Sequence, residues 1–470
     1  MRFKRLTALL LIAVPCVLCC ACGGDDTDGG NSTVSGTPDA SNVGDASSEA
    51  ASEEETADAT LTIKVKKGDI VKHKNNRPYD KSKEDISLIL IVGQSNFTTN
   101  VGFSSELGGV LDGKIAQYSE EPILPTQGIC YSSGYRTAIT ALTPDRDMSK
   151  LCNTSKMTNT LGGISPSFGI KWNELTGTKV VFVQAAVGAV GVHEWTPNPD
   201  DYICECNENA ALYQKTVDIY KQSFDALSKD YNIVYAGYLW NQGEHEEQFG
   251  KPGCVSTVSS DASYYAAYKS MHDGFMEELG LDFGGISVVR ADKAGGTAQG
   301  SMCLTTARNA QYRLCNDIDN LFMVSTISET CAASAPLDMD KTNTIHYSQT
   351  TFNKMGPDCA TNLYNCLGLS EKPVEFAGVQ VYSSAGIKIA EFDKDGKAMG
   401  ETVVAKGYLS DHILTKNTVL GTNYSIEGYT FTAADGTDLS AFVDEYGLFD
   451  WMSIATSKVV KSVKIKCVIE

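Results

Sequence analysis

The chain is poor in histidine and in basic residues, and each shortage narrows its chemistry. Lys and Arg total 39 against 58 Asp and Glu in 470 residues, a formal net charge of −19, and no basic stripe is evident. That balance argues against nucleic acid as a partner. There are six histidines, few enough to search for a general base by elimination. Two of them, His193 before Glu194 and His245 before Glu246, lack the second histidine of H-E-x-x-H, so no zincin motif is present. Eleven of the 15 cysteines, at 130, 152, 204, 206, 254, 303, 315, 331, 359, 366 and 467, form no C-x-x-C pair, which argues against a zinc ribbon. Nothing in the chain calls for a metal or an organic cofactor.

The first residues carry an export pattern. Arg2, Lys4 and Arg5 form a basic start, and Leu6 to Leu18 form an apolar run too short to span a bilayer comfortably. The run ends in Cys19-Cys20-Ala21-Cys22-Gly23, which resembles a bacterial lipobox. The resemblance implies removal of residues 1–21 and lipidation of Cys22, with Cys20 the weaker candidate. The expected location is the cell envelope, reached by export and held through a lipid without a spanning helix. Residues 23–60 contain ten acidic residues and no Lys or Arg. Such a segment is expected to be a disordered, self-repelling tether over 22–60, and it explains about half of the net charge. Export permits disulfides, and Cys130/Cys152, Cys303/Cys315 and Cys359/Cys366 are plausible local pairs. Eleven is odd, so at least one thiol is free or paired elsewhere.

From about residue 61 the chain alternates. Near-continuous apolar runs at Ile86–Val92, Val180–Ala186, Ile233–Trp240, Ile286–Val289 and Leu321–Ser325 read as strands buried on both faces. Between them Tyr213, Val217, Tyr220, Phe224 and Leu227 line one helix face, and Tyr264, Tyr268, Met271, Phe275 and Leu279 line another. The pattern predicts an α/β domain over 61–370, a parallel sheet flanked by helices, with its site beyond the carboxyl ends of the strands. After about residue 370, alternation of period two at Val379/Val381, Ile387/Ile389 and Val463/Ile465/Cys467/Ile469 predicts a separate, smaller, mostly-β unit over 371–470. Such a unit either binds glycan or packs against the first domain.

The residues after each predicted strand carry the chemistry. The first strand runs into Gly93-Gln94-Ser95-Asn96, which places a serine hydroxyl past a tight turn at the sheet's edge. Four residues alone fit a helix cap equally well. The second strand leads to a glycine-rich loop, where the Gly188 backbone N–H suits an oxyanion. After the third strand comes Trp240-Asn241-Gln242-Gly243-Glu244; the Gln242 amide is a neutral donor and Glu244 an orienting carboxylate. A serine hydrolase needs a base. His73 lies in a polar stretch, His272 on a helix and His412 in the β unit. His193 and His245 suit substrate contact, with Trp195 and Trp240 as sugar platforms or core residues. His346, last in the fold, is the favoured base.

Together these motifs resemble the sialate O-acetylesterase and acetylxylan-esterase branch of the SGNH hydrolases. Ser165-Pro166-Ser167-Phe168-Gly169, Arg308-Asn309-Ala310-Gln311 and Lys354-Met355-Gly356 agree with it. The resemblance spans about 86–368 and implies an SGNH-type fold that hydrolyses acetyl esters on carbohydrate. It implies Ser95 as nucleophile and His346 as base. The oxyanion donors are the Ser95 and Gly188 N–H groups and the Gln242 amide, with Gln94, Asn96 and Glu244 as supports. Asn343 stands where the family has the aspartate of its triad; Asp340, Asp338 or Glu244 are alternatives. That departure leaves open a glycan-binding lipoprotein with a weak or inactive esterase domain. A second departure is Ala189-Val190-Gly191 in the loop after Gly188.

Overall fold

A computed structural model of the chain describes residues 57–70, 72–97, 130–132, 163–188, 190–197, 212–248, 261–290, 298–331, 347, 349–384, 386–409, 412–457 and 460–470. Cys22, Asp338, Asp340, Asn343, His346 and the Cys130/Cys152 pairing lie outside or extend beyond these residues.

The α/β part is built on six strands: β2 (Glu84–Gly93), β3 (Cys130–Ser132), β4 (Lys179–Gln184), β5 (Tyr231–Asn241), β6 (Phe283–Ser287) and β7 (Leu321–Ser325). They form one parallel sheet in the order β3-β4-β2-β5-β6-β7. Five of them coincide with the apolar runs, because a strand covered on both faces has no polar side to alternate with. Helices α1 (Ser165–Thr176) and α5 (Gln349–Cys366) cover one face. Helices α2 (Leu212–Leu227), α3 (Asp261–Leu279) and α4 (Ala298–Asp317) cover the other. The two apolar stripes read in the sequence become the buried faces of α2 and α3, with Val217, Tyr220, Tyr264, Tyr268, Met271 and Phe275 almost fully buried.

The strand order places the crevice. From β2 the chain runs to β4 on one side, then returns to β5 on the other. Such a reversal opens a gap beyond the carboxyl ends of the central strands. Residues 94–97, 185–188, 190–195 and 242–248 meet there.

The second part differs from expectation in its boundaries. Strand β1 (Ala59–Lys67) does not belong to the α/β domain. It lies between β12 (Tyr424–Ala433), antiparallel, and β13 (Ser462–Ile469), parallel, in a four-stranded sheet completed by β10 (Val403–Ala405). Strands β8 (Gly378–Ser383), β9 (Lys388–Asp393) and β11 (Ile413–Asn417) form a second sheet over the same core. The mostly-β unit is therefore a sandwich made of 59–67 and 378–469, and the α/β domain is inserted after its first strand. Ala59, Leu61, Ile63 and Val65 alternate into that core, while Asp58 accepts from Lys461 N at 2.8 Å. Residues 58–60, expected to belong to the tether, are therefore part of the folded sandwich. The short helix α6 (Trp451–Ser457) precedes β13.

Two expected disulfides are corrected. Cys315, Cys359 and Cys366 are free thiols. Cys303 and Cys315 sit twelve residues apart on α4, and Cys359 and Cys366 seven apart on α5. At about 1.5 Å of rise per residue both separations exceed the reach of a disulfide. Among the described residues no helix is long and apolar enough to cross a membrane.

Gly93 fixes the turn at the end of β2. Its φ is 114°, and a Cβ there would lie 2.2 Å from the Asn241 carbonyl oxygen. Gly280 also has positive φ, 60°, but a Cβ there meets nothing within 4 Å. We expect Gly280→Ala to cost about 1 kcal/mol, the backbone preference alone. Gly93→Ala is expected to cost at least about 3 kcal/mol more, because backbone must move. Urea unfolding of both variants checks this; equal costs would contradict the close approach.

Candidate active site

The crevice is assembled by hydrogen bonds between three loops. Ladder bonds continue past the strands: Ala185 N donates to Ile91 O at 2.9 Å and Val187 N to Gly93 O at 2.9 Å. These set the Gly188 backbone alongside the turn that carries Ser95. On the other side Gln94 N donates to Asn241 O at 3.0 Å, and His245 N donates to Gln94 Oε1 at 3.1 Å. Ser95 begins a 3-10 turn, Ser95–Phe97, and is 9% exposed. Gln184 Nε2 donates to Phe97 O and closes the turn from the β4 side.

Asn96 is a two-way clamp. Its Nδ2 donates to Glu244 Oε1 at 2.5 Å, and its Oδ1 accepts from Tyr347 N at 3.0 Å. The first bond ties the β2 turn to the β5 loop. The second fixes the backbone of the residue next to His346. Arg290, fully buried just past β6, and Glu244 both act electrostatically on the buried Tyr347 phenol, whose pKa is pushed up chiefly by burial.

Gln242 does not have the role expected of it. Its Nε2 donates to Val190 O at 3.1 Å and to Glu246 Oε1 at 2.7 Å, and its Oε1 accepts from Tyr264 Oη at 3.0 Å. An amide nitrogen has two hydrogens. Both are engaged, so in this arrangement the side chain braces the β4 and β5 loops and offers no third oxyanion donor.

Sequence reasoning missed the partners of that brace. Glu246, 1% exposed, also accepts from Val192 N at 2.9 Å. Gln311 Nε2 donates to Gln242 O at 2.7 Å and to Tyr264 Oη at 3.0 Å, while its Oε1 accepts from Val289 N at 2.8 Å. Tyr264 looked like one more core residue of α3, since helical spacing reports burial of the ring and nothing of the hydroxyl. For Gln311 a signal existed, a glutamine closing Arg308-Asn309-Ala310-Gln311 on an otherwise buried helix face.

The remaining histidines and tryptophans separate cleanly. His73 Nε2 lies 3.2 Å from Val234 O and 3.6 Å from Asp282, at the amino ends of the sheet. His272 is buried between Tyr238 Oη at 2.8 Å and Asn320 Oδ1 at 3.0 Å, and burial lowers its pKa. His412 is buried in the sandwich. Trp195 and Trp240 are fully buried and pack edge to face at 5.8 Å, which makes them core and not sugar platforms. His193 is buried on the turn Val192–Trp195, with neither ring nitrogen hydrogen-bonded among the described residues, and burial pushes its pKa down to about 4.

A doubly wound α/β domain with a serine turn, a glycine loop and a carboxylate brace at its switch point has the anatomy of an SGNH-type esterase fold. The family profile described as carbohydrate esterase, sialic acid-specific acetylesterase matches residues 85–365, and the chain belongs to that family. No curated protein sequence matches significantly. Among solved structures the chain is similar to a protein from Arabidopsis thaliana, at 17% identity over 59% of this chain and 98% of that one, with a TM-score of 0.36. It is also similar to a carbohydrate acetylesterase from Xanthomonas citri, at 12% identity over 75% and 77%, TM-score 0.42. A third is a carbohydrate esterase family 2 enzyme plus carbohydrate binding domain from Corynascus thermopiles, at 13% identity over 62% and 68%, TM-score 0.30.

The orphaned imidazole makes a pH prediction. In the unfolded chain His193 takes up a proton near the ordinary histidine value of 6.5, whereas in the fold it does so only near 4. Between those values the unfolded state binds more protons, so stability falls as pH drops from about 6.5 towards 4 and levels off below. The loss is roughly 3 kcal/mol, about 1.4 kcal/mol for each pH unit between the two values. Denaturant unfolding across this window should show a shallower slope in His193→Leu than in the parent chain; an identical slope would remove His193 from the account.

Proposed function

We propose that this carbohydrate esterase is an exported, lipid-anchored serine acetylesterase acting on O-acetyl groups of sialic acid or of plant polysaccharide such as acetylated xylan. The observation that carries the reading is the Asn96 clamp. It joins the turn bearing Ser95 to the backbone beside His346, the two groups a serine hydrolase must bring together.

On this reading His346 takes the Ser95 proton as Oγ attacks the acetyl carbonyl. The backbone N–H groups of Ser95 and Gly188 hold the tetrahedral oxyanion. His346 then returns the proton to the sugar oxygen, which leaves as an alcohol. Water, deprotonated by the same imidazole, attacks the acyl-enzyme and releases acetate and free Ser95. The partner of the second ring nitrogen is Asn343, Asp340 or Glu244. Glu244 is supported by its bond to Asn96. Membrane attachment rests on Cys22 and the segment before it.

Asn343 favours a second reading, a glycan-binding lipoprotein with a weak or inactive esterase domain, because an amide cannot stabilise an imidazolium as a carboxylate does. Acetate release from acetylated xylan and from O-acetyl sialic acid separates the two. The esterase reading expects turnover that drops by about a thousandfold or more in Ser95→Ala. Undiminished activity in that variant would sink it, and binding without turnover or fluorophosphonate labelling would establish the alternative.

A further inference from the structure

Among the contacts between the β-sandwich and the α/β domain is a mostly buried ion pair. Lys416 on β11 donates from Nζ to Glu329 Oε2 at 2.6 Å, and the two side chains are 16% and 13% exposed. The ammonium also lies 4.5 Å from the Tyr382 ring centroid on β8 and 5.3 Å from that of Tyr312 on α4. Arg308 Nε, from α4, stands 3.9 Å from the other Glu329 oxygen. Removing one partner of an ion pair this enclosed leaves a buried charge uncompensated, which perturbs its surroundings far more than breaking a surface pair.

Glu329 belongs to the 3-10 turn Ile327–Thr330, which follows β7 at the carboxyl end of the sheet. Its neighbour Ser328 donates to Val288 O, on the segment that leads from β6 to Arg290. Cys331 ends the turn and belongs to the same apolar cluster as Tyr347. Tyr347 is the residue whose backbone N–H Asn96 holds.

We infer that Lys416 is a positioning residue: through Glu329 the β-sandwich fixes the turn against which Tyr347 packs, and so holds the backbone beside His346 in register with Ser95. The inference rests on the esterase reading and assigns the sandwich a part in the reaction that is independent of glycan binding. Lys416 touches neither substrate nor reacting atoms. Its contribution passes through the geometry of the 327–331 turn.

The test uses the whole chain and two substrates, 4-nitrophenyl acetate and acetylated xylan. Lys416→Met is expected to lower kcat about tenfold on both substrates with KM unchanged, and Lys416→Arg to recover most of the loss. Glu329→Gln should reproduce the methionine variant. A rise in KM confined to xylan would overturn the proposal and make Lys416 a glycan contact. Hydrogen exchange of the peptide containing Tyr347 gives a readout that does not need turnover. Its protection should fall in Lys416→Met while β2 peptides stay protected, and unchanged protection overturns the proposal even if the parent chain proves inactive. An inactive parent chain, or an active Ser95→Ala variant, overturns the esterase reading alone.

Discussion

Two carboxylates at the end of β5 hold the crevice together. Glu244 and Glu246 are each almost fully buried, and each is spent on a different loop. Glu244 receives Asn96 from the β2 turn, and Glu246 receives Val192 from the β4 loop together with Gln242. Burying a carboxylate is costly unless its oxygens are hydrogen-bonded. The same cost makes the arrangement specific, since a loop that moves away leaves a charge without its donors. Gly243, at φ 146°, lets the chain just before them pass within contact distance of Val289 and Ala307. The three loops of the switch point therefore take their positions from one five-residue segment.

The sandwich imposes a constraint of a different kind. Its central strand β1 precedes the α/β domain while both neighbours, β12 and β13, follow it. Pairing across more than 350 residues closes only after the inserted domain has brought the chain ends together. The segment between β1 and β2 runs along the amino ends of the inserted sheet, pinned by Arg77 to Asp282 at 2.8 and 2.9 Å. Besides this attachment and Lys416, Asn316 on α4 exchanges hydrogen bonds with the Ile426 backbone on β12, so the sandwich grips the α/β domain at several places. A module tethered by a flexible linker would need none of them.

Much of this was legible in the sequence, and the limits follow from what patterns encode. Buried parallel strands appear as apolar runs, so five of six were visible and the order of motifs after them located Gln94, Ser95, Asn96, Gly188, Gln242 and Glu244. The three residues of β3 are too few to show a pattern. Strand β1 has a clear alternation at Ala59, Leu61, Ile63 and Val65, yet nothing local says that its partners lie at the far end of the chain. Partner choice is a tertiary property. The same holds for side chains: Trp195 and Trp240 next to site motifs suggested a sugar platform, and only packing shows their rings turned into the core. The family's secondary marks also acquire reasons. A Cβ at Gly356 would lie 2.0 Å from Ser167 Oγ, so the glycine of one motif and the serine of another are the contact between α5 and α1.

The engagement of Gln242 bears on how such a site would stabilise charge. Two side-chain amides at the crevice are already committed through their NH2 groups, Asn96 to Glu244 and Gln242 to Val190 and Glu246, while the Gln94 oxygen accepts from His245 N. Releasing one to meet an oxyanion would strand a buried carboxylate or carbonyl and return much of the gain. Backbone N–H groups at a glycine turn carry no such debt, because their positions are set by the ladder bonds of β2 and β4 and they need not reorganise as charge develops. On the esterase reading the division of labour is then physical. Side chains spend their hydrogen bonds on holding three loops rigid, and the rigid backbone they create at Ser95 and Gly188 is what faces the substrate.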